Sequence, residues 1–131
     1  MNVNAYKKFT LEQANALIPE LIRLTQCTMK KLKIESAKWH AEETGSVIDD
    51  ESAYHQRLNR YLRQWADQVT RLGVMPKGYF TCDFVSPNPE RLFCWNYGET
   101  EICFTHKTSE SFKDRIPLDN PELQGFEVSL N

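Results

Sequence analysis

The chain contains no Cys-x-x-Cys pair, no apolar run long enough to cross a bilayer, no glycine-rich phosphate loop and no large excess of either charge. Each gap closes off a class of function. Four cysteines, Cys27, Cys82, Cys94 and Cys103, stand singly, so neither a zinc-finger spacing nor a disulfide framework is present, and buried thiols in a reducing compartment are expected. A net charge of −2 gives no bulk attraction to nucleic acid or membrane. The amino terminus carries two lysines but passes directly into an amphipathic pattern, which predicts neither a signal peptide nor a membrane span and a cytoplasmic location. No Ser-His-Asp order and no calcium-loop spacing occurs.

What is present reads as a single α+β domain over residues 1–131: a helical hairpin over 10–73, a three-stranded antiparallel meander over 79–106, and an irregular tail over 107–131 with one short edge strand at most. Thr10-Leu11-Glu12-Gln13 has the form of a capping box, in which hydroxyl and amide side chains satisfy each other's backbone N–H groups. Apolar residues then recur at helical spacing through Leu11, Ala14, Ile18 and Leu21, widened by Leu17, Leu24 and Leu32. Pro19 predicts a kink or restart, because proline removes an amide and crowds the carbonyl four residues back. An acidic stretch with Thr44, Gly45 and Ser46 marks the hairpin tip, and Tyr54, Leu58, Tyr61, Leu62, Trp65, Val69 and Leu72 form the strongest helical stripe, closed by Gly73. The two helices should pack antiparallel along these stripes.

Beyond Pro76 the composition turns aromatic and β-branched, giving strands at Tyr79 to Val85, Arg91 to Asn96 and Thr100 to His106. If Tyr97-Gly98 is a two-residue hairpin loop, Trp95 faces Thr100 and Cys94 faces Glu101. That register puts Phe93, Trp95, Ile102, Phe104 and His106 on one face, packed on the helices, and Leu92, Cys94, Glu99, Glu101 and Cys103 on the other.

FTLEQANALIPEL at the start and CWNYGETEICFTH later, followed by Phe112, Arg115 and Pro117-Leu118, resemble domain-of-unknown-function family 2203. The resemblance implies a helical hairpin with a small sheet and brings no activity with it. This chain departs from the family pattern with Thr105 and Lys107 on either side of His106, and with Ser111 before Phe112.

The sharpest candidate site is Asp83, Glu99, Glu101, His106 and Arg115 around the sheet, with Cys94 beside them and Trp95 as a further ligand-binding candidate. Carboxylate, imidazole and thiol groups suit a divalent metal or an acid–base pair, although the expected register sends His106 and Glu101 to opposite faces and so opposes one compact site. Two other constellations stand out. Arg23, Lys30, Lys31, Lys33, Lys38, Arg57, Arg60, Arg63 and Arg71 make a basic helical shaft, and His40 and His55 flank the acidic tip. A solvated helix face and a plain acidic loop are the simpler readings of these.

The expectation is a non-catalytic binding or assembly domain, homo-oligomeric and simplest as a homodimer, that engages a protein or small ligand through its sheet and loops. A small metal-assisted or acid–base enzyme centred on Glu99, Glu101, His106 and Arg115 is the alternative. Nucleic-acid binding along the basic shaft is the weakest of the three, and no motif names a cofactor.

Overall fold

A computed structural model describes residues 6–43 and 51–120. Helix α1 runs Leu11–Glu43 and α2 runs Glu51–Arg71, followed by strands β1 (Met75–Lys77), β2 (Thr81–Val85), β3 (Arg91–Asn96), β4 (Phe104–Lys107) and β5 (Ile116–Pro117). The strands form one antiparallel sheet in the order β1-β2-β3-β4-β5. The fold class is therefore α+β, but the sheet has five strands rather than the expected three. Both additional strands are very short edges and carry prolines, Pro76 and Pro117, so neither announces itself by alternation.

The capping box forms as expected: the Gln13 N–H donates to Thr10 Oγ1 at 3.1 Å and the Thr10 N–H to Gln13 Oε1 at 3.0 Å. Pro19 lies inside α1, which continues without a restart. Its neighbours explain the tolerance. Ile18 and Leu21 are fully buried, and packing of that stripe outweighs one missing helical hydrogen bond. The helices cross-link antiparallel: Trp65 Nε1 donates to Thr25 Oγ1 at 3.0 Å near the sheet, Arg57 Nε to Glu35 Oε2 at 3.0 Å farther out, and Trp39 stacks on Tyr54 at 4.8 Å. The tip residues 44–50 fall outside the described residues.

Gly73 closes α2 in a left-handed conformation (φ +87), with the Gly73 N–H donating to the Thr70 carbonyl and the Val74 N–H to the Val69 carbonyl. This is a Schellman cap. It delivers the chain into β1, and a Cβ on Gly73 would lie 2.8 Å from Lys7 Cβ. The main core joins Ile18, Leu21, Leu24, Trp65 and Val69 of the helices to Phe9, Cys82, Phe84, Phe93 and Trp95.

The β3–β4 register corrects the sequence reading. Cys94 pairs with Phe104 and Phe93 with Thr105, whereas the expected hairpin put Cys94 opposite Glu101. The Glu99 N–H donates to the Asn96 carbonyl at 3.0 Å, with Gly98 at φ +108 and Tyr97 outside the positive-φ region. Tyr97-Gly98 is thus the centre of a type II turn, whose twist does not suit a two-residue hairpin. The chain then stays out of the sheet until Phe104. Trp95 Nε1 donates to the Glu99 carbonyl at 2.7 Å, the Ile102 N–H to Asn15 Oδ1 at 2.7 Å, and the Leu118 N–H to the Cys103 carbonyl at 2.9 Å. The change in parity sends every β4 side chain to the face opposite the one expected. Phe104 and His106 join Leu92 and Cys94 on the outer face, while Ile102, now in a loop, still reaches the core.

Candidate functional site

The outer face of the sheet, turned away from the helices, is mostly buried. Met75, Val85 and Leu92 form a small second core there with Tyr6 packed against it. The segment before α1 reaches this edge through a parallel bridge from Lys8 to Val85, and the Phe9 N–H donates to the Val85 carbonyl at 2.8 Å.

Within this face Asp83 and Cys94 are direct cross-strand partners on β2 and β3, and His106 joins them from β4. One ligand-type atom from each lies within 4.8 Å of the other two, and all three residues are buried. His106 Nδ1 is 2.8 Å from the Lys107 carbonyl oxygen and Nε2 is 3.1 Å from Asp83 Oδ1. A carbonyl only accepts, so Nδ1 carries a proton. Nε2 therefore presents either a second proton or a lone pair to the Asp83 carboxyl group. Burial pulls the His106 pKa down, but hydrogen bonds to Asp83 and to the Lys107 carbonyl, with the charges of Asp83 and Glu110, together raise it above 6.5. The Cys94 thiol is pushed up to about 12, first by burial and then by the Asp83 charge, with Arg115 pulling the other way. Among the described residues no buried side-chain nitrogen or oxygen is left without a partner.

Arg115 and Glu99 form a brace beside this cluster. Arg115 Nη1 lies 2.9 Å from Glu99 Oε2, and its guanidinium sits 4.0 Å from the Phe104 ring and 4.1 Å from the Phe112 ring. Glu99 Oε1 also accepts from the Asn96 N–H at 2.8 Å. The pair ties the turn after β3 to the chain leaving the 3-10 turn at Phe112–Asp114.

Of the residues singled out in the sequence, the fold thus brings Asp83, Cys94 and His106 together and sets Glu99 with Arg115 alongside. Glu101 is exposed in the loop before β4. Trp95 is fully buried on the opposite face, against the helices. The expected burial of all four cysteines holds for Cys82 and Cys94 only, since Cys27 and Cys103 are exposed. On the basic shaft, Arg23 pairs with Glu20, Arg57 with Glu35, and Lys31 Nζ lies 5.8 Å from the Tyr61 ring centre. His40 and His55 are both exposed, and most of the acidic tip between them lies outside the described residues.

A cavity of about 360 Å³ opens beside the cluster and meets it at Asp83, with Lys77, Tyr79, Thr81, Glu110 and Phe112 among its other lining residues. Sequence reasoning missed Lys77, Thr81 and Glu110. They come from a hairpin and a loop with no periodic signal, and they share a wall only because the chain after β4 folds back. The β1–β2 hairpin holds Phe80 at φ 56, which is costly for an aromatic residue. Phe80 packs edge-on against Trp65 at 5.3 Å and leaves Tyr79 74% exposed at the cavity rim. A second cavity of about 370 Å³ on the helix side of Tyr79 has Leu62, Trp65, Ala66 and Pro76 in its walls and no charged lining residue.

Among the described residues no helix is long and apolar enough to cross a membrane. No curated protein and no solved structure matches the chain. Residues 7–118 match the family described as uncharacterized conserved protein (DUF2203), and the chain, carrying that match over most of its length together with the helical hairpin and small sheet, belongs to this family.

Proposed function

We propose that the protein is a non-catalytic binding domain that takes a small polar ligand into the cavity over the outer sheet face. The observation that carries this reading is the cavity's position. It is bounded by both charge signs, Lys77 against Asp83 and Glu110, with Tyr79 and Phe112 at its rim, and Asp83 links it to a buried polar cluster. Such a mixture of a few placed polar groups and aromatic walls is the usual make-up of a small-molecule site. The helix-side cavity offers no charged group to orient a ligand.

The outer face supports a ligand better than the expected homodimer. Both edge strands are short and carry a proline, which discourages strand pairing between copies. Much of the outer face is already covered by Tyr6 and by the Arg115 stack.

Native mass spectrometry of the purified chain, beside the Glu110→Gln and Phe112→Ala variants, tests the reading. A small molecule retained by the parent and lost from both variants is the expected result. A parent that retains nothing, and whose unfolding temperature does not move across a panel of polar metabolites, overturns it.

A further inference from the structure

We propose that Asp83, Cys94 and His106 form a binding site for a divalent metal ion of the zinc class, held by one carboxylate oxygen, the Cys94 sulfur and His106 Nε2. The inference goes beyond the ligand proposal and does not depend on it: the two share Asp83, but Cys94 and His106 are not among the residues that line the cavity.

Geometry comes first. Atoms no farther than 4.8 Å apart can all be reached from one point at about 2.8 Å, against the roughly 2.0–2.3 Å of zinc bonds to oxygen, nitrogen and sulfur. Side-chain shifts of about 0.5 Å at the sulfur and about 0.8 Å at the nitrogen and oxygen close that difference. The three donors come from adjacent strands of one sheet, so the backbone already holds them in register.

His106 is also set in the orientation that metal-bound histidines adopt. Its Nδ1–H is engaged by the Lys107 carbonyl, which fixes the ring and leaves Nε2 as the ligating atom. Charge balance points the same way, because one carboxylate, one thiolate and one neutral imidazole neutralise a divalent cation in a place that tolerates no net charge. Without such a role the cluster is hard to rationalise, since apolar residues of similar size in a buried face are generally as stable or more so. Met75, Val85 and Leu92, each at most 4% exposed, give it an apolar side on the same sheet face.

The donor set defines the metal class. A thiolate with an imidazole and a single carboxylate selects zinc or cobalt over magnesium and calcium, which require mostly oxygen ligands. Three protein donors leave one position of a tetrahedron for an outside ligand. Asp83 also lines the cavity, which provides an entry route.

The test uses the full chain in a Cys27→Ser/Cys103→Ser background, which removes the two exposed thiols. Titration with Co²⁺ should give the visible bands of tetrahedral cobalt and a sulfur-to-cobalt charge-transfer band, saturating at one ion per chain and displaced by Zn²⁺. Cys94→Ser should abolish the charge-transfer band, and Asp83→Asn and His106→Gln should each weaken Zn²⁺ binding at least tenfold. Thermal unfolding and far-ultraviolet circular dichroism establish that each variant is folded, and Glu101→Gln, in the exposed loop, should bind as the parent does. A folded parent that takes up neither ion at millimolar concentration, or a charge-transfer band that survives Cys94→Ser, overturns the proposal. Loss of metal binding in Cys94→Ser, a position that does not line the cavity, would leave retention of an organic ligand unaffected, so the two proposals fail separately.

Discussion

On β2 and β3, Phe84, Phe93 and Trp95 point into the helices, whereas Asp83 and Cys94, one residue away on the same strands, point outward and meet His106 of β4. The inner face is mostly apolar, with the Phe84 ring edge-on to Phe9 at 5.2 Å, and apart from the buried Arg91–Thr105 hydrogen bond its stability comes from area removed from water. The outer face is nearly as buried, but beside the apolar patch of Met75, Val85 and Leu92 it buries the Asp83, Cys94 and His106 side chains against one another. A buried polar face costs desolvation that a buried apolar face does not, so the contrast separates residues that hold the fold from residues placed for chemistry.

The sharpest way to test that division is to remove one residue from each side. Phe84→Ala should cost about 4 kcal/mol in urea unfolding, the range for deleting a buried aromatic ring. His106→Ala should cost about 3 kcal/mol, because it removes the imidazole partner of an Asp83 carboxyl that is only 3% exposed. The accompanying double replacement, Asp83→Leu with His106→Leu, should recover at least half of that loss while abolishing zinc binding. If His106→Ala costs less than about 1 kcal/mol, water reaches Asp83 and the outer face is not the dry counterpart of the inner one.

Smaller effects are expected away from both faces. Gly73→Ala should destabilise by about 2 kcal/mol, since it combines a left-handed backbone with a contact against Lys7. Arg115→Lys keeps the charge but loses the flat stack between Phe104 and Phe112, and should cost about 1 kcal/mol while loosening the chain over the cavity. Glu101→Gln should stay within about 0.5 kcal/mol of the parent, as befits an exposed loop position. A larger change at Glu101 would place that side chain in the site from which the register removes it.

Much of the scaffold was legible from residue pattern alone. The capping box at Thr10 and Gln13, the helical stripes through Ile18 and Trp65, the cap at Gly73 and the second strand at Arg91–Asn96 all rest on interactions between residues close in sequence, which composition and spacing report directly. The site was legible only as an inventory. Asp83, Cys94, His106, Glu99 and Arg115 could be named, but the two-residue hairpin expected at Tyr97-Gly98 reversed the parity of β4 and separated His106 from the residues it joins.

Residue order by itself therefore determined the element types, the capped helix ends, the apolar stripes that drive the hairpin together and the kinds of side chain available for chemistry. Tertiary structure alone decided that the sheet has five strands and that β4 pairs through Cys94 and Phe104. It also decided that Asp83, Cys94 and His106 share one buried face. The physical reason lies in the loop after Gly98. Its bonds run to Asn15, Leu118 and Arg115, partners distant in sequence, and those long-range contacts set how many residues are used before β4 begins. With a side-chain period of two along a strand, that count alone determines which face a histidine occupies.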